Sequence, residues 1–178
     1  MASALTLSAR ISLVIDRAII VAATVATVTS LAILFVTLMT EVILRYFTAR
    51  SLGWPNEMPA LLYPWLAMGG AVLAAQRGRH IAVTLLQELL PVAVTRALLI
   101  VLHLLAAAGF LYLAWIGLTV LQVAGGERYP VSRISAYWAY LALVTGFTLI
   151  AVTAVTSLPR VLLEDDPVQA RNEGPEVQ

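Results

Sequence analysis

The chain contains no cysteine and no lysine, and only 12% of its 178 residues are charged. A soluble domain of this length carries about a quarter charged residues, roughly 45; here there are 11 basic and 10 acidic, 21 in all. Without cysteine there is no disulfide, no thiolate metal site, no cysteine-ligated iron–sulfur cluster and no thiol nucleophile. A net charge of +1 leaves no electrostatic footprint for a polyanion, which excludes nucleic acid as a partner. What the chain has instead is apolar side chains, 61% by count, with a mean hydropathy of +0.90. That is too little polar surface to cover a soluble globule, and too much hydrophobicity for a disordered chain. The protein is read as integral to a membrane.

The few charges divide the chain into windows. Charge-free stretches run over residues 18–40, 58–76, 97–126 and 134–159. An α-helix rises 1.5 Å per residue, so about 20 apolar residues cross a hydrocarbon core of roughly 30 Å. Each window holds one crossing and none comfortably holds two. The expected fold is an all-α membrane protein with four transmembrane helices, at about 18–40, 58–76, 97–121 and 134–158. The first window is too long for the apolar core of a signal peptide and is expected to be a retained helix. Seven arginines (10, 17, 77, 79, 96, 160 and 171) fall on one side of this topology and four (45, 50, 128 and 133) on the other. The positive-inside bias then puts both termini in the cytoplasm. Over residues 81–90, Thr84, Gln87 and Glu88 share one arc of a helix and aliphatic residues take the rest, the pattern of a short amphipathic helix lying in the interface. Residues 1–163 read as one membrane domain and 164–178 as a short disordered cytoplasmic tail.

Little inside the windows could perform chemistry. His103 is the one histidine or carboxylate well within a window, and such a residue is a functional candidate by default. Its simplest reading is a neutral imidazole bonded to a neighbouring helix. The only other histidine, His80, sits at a helix end beside Arg79, which leaves no axial pair for haem. No acid lies inside a window, so no embedded carboxylate is expected to exchange protons for a substrate. There is no Gly-rich phosphate loop, no zinc-type His/Glu spacing and no Ser/His/Asp set. Neither catalytic residues nor a cofactor nor a metal is expected, and the chain is not read as an enzyme.

The helix ends are richer. Glu41 and Arg45 are four apart, the favourable order for a helical pair, next to Tyr46 and Phe47 as interface markers. Asn56 and Glu57 follow Trp54-Pro55 and suit an N-cap and a first-turn acid. Arg77, Arg79 and His80 place cations at a helix C-terminus, against an anionic leaflet. Within the second span Ala67, Gly70, Ala71 and Ala74, with Gly69 beside them, offer a small face on which helices approach closely. Pro64 is expected to bend this span.

Taken in order, Glu41-Val42-Ile43-Leu44-Arg45-Tyr46, Trp54-Pro55-Asn56-Glu57, Trp65, Gly69-Gly70-Ala71 and Arg77-Gly78-Arg79-His80-Ile81-Ala82-Val83 resemble the small permease subunit of tripartite ATP-independent periplasmic (TRAP) transporters, the DctQ type. The motifs cover about residues 41–86. One departure is Thr84, where family members often carry an acid. The resemblance implies a scaffold subunit of a sodium-coupled transporter in the bacterial inner membrane. It would pair with a large membrane subunit that holds the substrate and sodium sites and moves by an elevator-like mechanism. A periplasmic binding protein would deliver an organic acid. Carried onto this chain, the resemblance nominates Glu41, Arg45, Trp54 and Glu57 at the outer face and Arg77, Arg79 and His80 at the inner face. Their implied contacts are the large subunit, lipid head groups or the docked binding protein. Two competing readings are a self-contained homo-oligomeric four-helix transporter or channel and a membrane anchor of a redox enzyme. The lack of an embedded carboxylate argues against the first, and the lack of a histidine pair argues against a haem-bearing version of the second.

Overall fold

The computed structural model describes residues 2–48, 51–77 and 92–163. Four helices dominate: α1 (Ala2–Thr48), α2 (Met58–Arg77), α3 (Val92–Ala124) and α4 (Tyr137–Leu163). All four are long and apolar enough to cross a membrane. The interfacial helix expected over 81–90, together with Arg79, His80 and the tail 164–178, lies outside the described residues.

The helices overrun the charge-free windows, most of all α1. Arginine and glutamate are good helix formers, so a charge ends a hydrophobic window without ending the helix. Hydroxyls within the helices are satisfied locally. Thr27 donates to the Ala23 carbonyl (2.8 Å), Thr40 to Val36 (2.8 Å) and Thr148 to Val144 (2.8 Å), as a non-aqueous surrounding requires. The start of α2 is set by a 3-10 turn, Trp54–Glu57, whose N-cap is Gly53 at φ 78°. Asn56, expected to cap, lies inside this turn, and its backbone N–H donates to the Gly53 carbonyl (3.1 Å). Pro59 falls in the first turn of α2, where no N–H is needed, and Pro64 lies inside the helix.

α4 is the hub: it packs against α3 and α2 extensively and against α1 more lightly, and α1 also packs along α2. Among the described residues α3 has no comparable contact with α1 or α2. The core is built from Ile19, Ala23, Val72 and Ile150, with Met68, Phe110 and Leu149 against it. Glycines set the closest approaches. A Cβ at Gly69 would overlap the Thr27 hydroxyl of α1, and one at Gly146 would meet Met68 Cβ of α2 at 2.7 Å. Trp65 Nε1 donates to the Trp138 carbonyl (3.0 Å), fastening α2 to α4 near their N-termini.

The small face of α2 needs a correction. The residues buried on this helix are Met58, Gly69, Val72 and Gln76. Ala67, Gly70, Ala71 and Ala74 are exposed, and a Cβ at Gly70 would meet nothing within 4 Å. Only Gly69 of the expected set serves the packing of this chain.

Candidate functional site

Two buried polar clusters stand at opposite ends of the bundle. On α1, Asp16 and Glu41 are 25 residues apart, or about 37 Å along the axis, so the clusters bracket a hydrocarbon core of about 30 Å. One end carries the start of α1 and the end of α4, the other the connections α1–α2 and α3–α4.

At the terminal end Asp16 is 1% exposed. Its Oδ1 accepts from the Thr156 hydroxyl (2.6 Å) and from Gln76 Nε2 (3.4 Å). Gln76 Nε2 also donates to Thr153 Oγ1 (2.9 Å). A carboxylate on α1, an amide on α2 and two hydroxyls on α4 thus tie three helices together. Asp16 lies two residues before the first charge-free window, 18–40, but within the longer apolar helix Ser12–Thr48, a buried acid that the window reading did not single out. The neighbouring Arg17, exposed on the other side of the helix, makes the pair read as a polar tail. The apolar residues on both sides of Asp16, and Thr153 and Thr156 three apart on one face, are the signals that could have found the cluster.

At the loop end two more carboxylates fasten loops. Glu41 is 6% exposed; one oxygen accepts from the Ser51 hydroxyl and the other from the Leu52 N–H (3.2 Å). The expected helical pair does not form, because both oxygens turn to the loop and Arg45 is exposed one turn on. Glu57 reaches the other connection, accepting from the backbone N–H groups of Val131 and Ser132, both at 2.8 Å. That connection is a tight hairpin with a bridge between Arg128 and Ser135. Tyr129 N–H donates to the Ile134 carbonyl (3.0 Å), and Ser135 Oγ donates to the Gly125 carbonyl (2.6 Å). Burial pushes the Tyr129 phenol up, helped by neighbouring Tyr140 and Glu57. Glu57→Ala is expected to speed amide exchange at Val131 and Ser132 by about tenfold or more, since their acceptor is lost. Hydrogen-exchange mass spectrometry checks this, and unchanged rates would show that the hairpin holds itself.

Of the residues nominated from sequence, Glu41, Trp54 and Glu57 come together at the loop end with Arg45 nearby. Arg77 stands alone of its group among the described residues, exposed next to the buried Gln76. His103 is half-buried on α3 with Nδ1 2.7 Å from the Leu99 carbonyl oxygen, a contact within its own helix. Among the described residues no three His, Cys, Asp or Glu side chains converge as a metal site would require.

The fold and these clusters define a polytopic four-helix membrane protein whose polar groups hold helices and loops together. Residues 34–164 match the family of tripartite ATP-independent periplasmic transporters, DctQ component, and the chain belongs to that family. It is also 32% identical over 130 residues to uncharacterized protein y4mM of Sinorhizobium fredii, an alignment covering 72% of this chain and 24% of the relative. The matched part of this chain thus spans about a quarter of the length of that curated relative.

Proposed function

We propose that this chain is the scaffold subunit of a sodium-coupled TRAP transporter for organic acids. It sits in the bacterial inner membrane with both termini cytoplasmic, beside a large membrane subunit that holds the substrate and sodium sites. A periplasmic binding protein supplies the substrate. The subunit contributes assembly and anchoring, through outer residues Glu41, Arg45, Trp54 and Glu57 and inner residues Arg77, Arg79 and His80.

The observation that carries this reading is the open side of α2. Exposed positions on α1 include many bulky residues (Val21, Val25, Val28 and Phe35), and so do those on α3 (Leu104, Leu105, Leu111 and Trp115), as befits contact with lipid chains, with small residues such as Ala22, Ala32, Ala108 and Gly109 scattered among them. On α2 the exposed positions Ala60, Ala67, Gly70, Ala71 and Ala74 recur on one stripe and are small, with Tyr63 (62% exposed) the bulky residue among them. Lipid does not call for small residues, whereas a helix backbone packing closely does. The greater length of the y4mM relative supports the same reading, because there the matching segment shares a polypeptide with about three times as much additional chain.

Purification from native membranes in mild detergent, followed by mass spectrometry, tests it. The expected result is a stoichiometric large polytopic partner. A homo-oligomer without a companion would overturn the scaffold role in favour of a self-contained transporter, and Asp16 would be the first residue to mutate.

A further inference from the structure

α3 carries two aromatic side chains at a depth where lipid has no use for their polar atoms. Tyr112 and Trp115 are 66% and 73% exposed. Their depth follows from a ladder of contacts. Phe110 meets Phe147 of α4 with ring centres 6.1 Å apart, and a Cβ at Gly117 would meet the Val144 side chain at 3.0 Å. Across α4, a Cβ at Gly146 would crowd Met68 of α2, and one at Gly69 would overlap Thr27 of α1. Tyr112 and Trp115 therefore lie near the level of Thr27, about 16 Å along α1 from Asp16 and about 21 Å from Glu41. Tyrosine and tryptophan normally mark the borders of a bilayer; this pair stands in the middle of the hydrocarbon.

Size alone suits both side chains to lipid, but their polar atoms do not. The rings hold the phenol and the indole N–H clear of α3, so no carbonyl of their own helix takes them up, as Leu99 does for His103 and Ala23 for Thr27. Among the described residues neither has a hydrogen-bond partner. Lipid chains offer no acceptor, and donors left unpaired in hydrocarbon are unfavourable. The surface around them is shaped for a helix. Val101, Leu105, Ala108, Tyr112 and Trp115 are all exposed and recur at alternating steps of four and three residues, the repeat of a helix–helix seam. Buried Leu99, Ala114 and Leu121 lie on the opposite side of the helix, toward α4. A Cβ at Gly109, beside Ala108, would meet nothing within 4 Å, and small residues are where membrane helices come close.

We infer that this seam is a homotypic interface, in which α3 packs in parallel against α3 of a second copy of the chain. Complementarity selects the occupant. A phenol oxygen both donates and accepts, whereas an indole N–H only donates. Two copies share one orientation in the membrane, so a two-fold axis along the membrane normal brings each Trp115 within a turn of the other copy's Tyr112 and gives each indole an acceptor. The large subunit proposed above has its surface elsewhere: the small stripe lies on α2, and α4 stands between α2 and α3. The pairing goes beyond the scaffold reading and joins two assemblies at their small subunits.

The absence of cysteine from the chain makes the test direct. Leu105→Cys and Ala108→Cys are oxidised with copper phenanthroline in native membranes that hold the complete assembly. The expected product is a covalent dimer of this chain with at least one of them, and none with Val28→Cys, which marks the exposed face of α1 and reports random collision. In purified complexes diluted into liposomes and counted by single-molecule photobleaching, Tyr112→Phe and Trp115→Phe should each weaken dimerisation about fivefold, because each removes an interhelical bond from both copies. Cross-linking at neither α3 position, cross-linking equal to that of Val28→Cys, or capture of the large chain in place of a second copy would overturn the inference. So would unchanged association of both aromatic variants. The two readings fail separately. A complex with its large subunit but no α3 cross-link loses the dimer alone, whereas a cross-linked dimer without a large subunit keeps the interface and loses the scaffold role.

Discussion

Gly69→Leu will destabilise the subunit itself, whereas the same change one residue on, at Gly70, will leave the subunit folded and strip it of the large partner proposed for it. A Cβ at Gly69 overlaps the Thr27 hydroxyl and lies 3.2 Å from the Ala23 carbonyl oxygen. That hydroxyl is held by its own bond to the Ala23 carbonyl (2.8 Å), so relief requires α1 and α2 to move apart. Overpacking of this kind costs about 3 kcal/mol, which for a chain of this size lowers the unfolding midpoint by roughly 10 °C. At Gly70 nothing lies within 4 Å of an added Cβ, and leucine is the better helix former by about 0.8 kcal/mol. The midpoint should hold or rise slightly. Recovery of the large subunit with Gly70→Leu should fall about tenfold, because a branched side chain would prevent close helix approach. Val25→Trp, on an exposed position of α1, serves as the control that changes neither. Equal destabilisation at both glycines would contradict the packing described here. Full recovery of the partner with Gly70→Leu would remove the open side of α2 from the assembly.

The contrast between adjacent glycines also shows how far the sequence is legible. Four crossings follow from the spacing of charges, because bilayer thickness sets the length of an apolar run and nothing in the protein alters it. Small residues on α2 mark close approach, but residue type does not say whether the neighbour is this chain or another. Gly69 turned out to face α1, and Gly70, about 100° further round the helix, faces outward. The same rotation hid Asp16. Next to Arg17 it reads as tail, yet one side chain points into the bundle and the other away. Glu41 and Glu57 stood out by their places at helix ends, but their partners did not. The N–H groups of Leu52, Val131 and Ser132 belong to the backbone, and a backbone donor leaves no mark in an amino-acid sequence.

Asp16→Ala should produce the second large loss of stability, and its comparison with Asp16→Asn separates a hydrogen-bond tie from a charge. Alanine removes the acceptor that joins Thr156 of α4 and Gln76 of α2 to α1. Thr156 can still donate to the Thr153 carbonyl (3.1 Å) and Gln76 to Thr153 Oγ1 (2.9 Å), so neither side chain is wholly stranded. What goes is the link to α1, together with the volume of a carboxylate that is 1% exposed. Loss of a buried acceptor plus a small cavity costs about 2–3 kcal/mol, a fall in midpoint of roughly 5–10 °C. Asparagine keeps an oxygen for the same donors, so Asp16→Asn should cost less than about half as much if acceptance is what matters. Equal damage from both variants would mean that the negative charge holds the helices, and an undamaged Asp16→Ala would mean the cluster ties nothing. The effect should also be local. Val131 and Ser132 are held by Glu57 near the far ends of the helices, so their amide exchange should match wild type in Asp16→Ala well below its midpoint. Faster exchange there would instead couple the two ends through the bundle, and the rigid scaffold assumed for assembly would have to be replaced by one that transmits motion across the membrane.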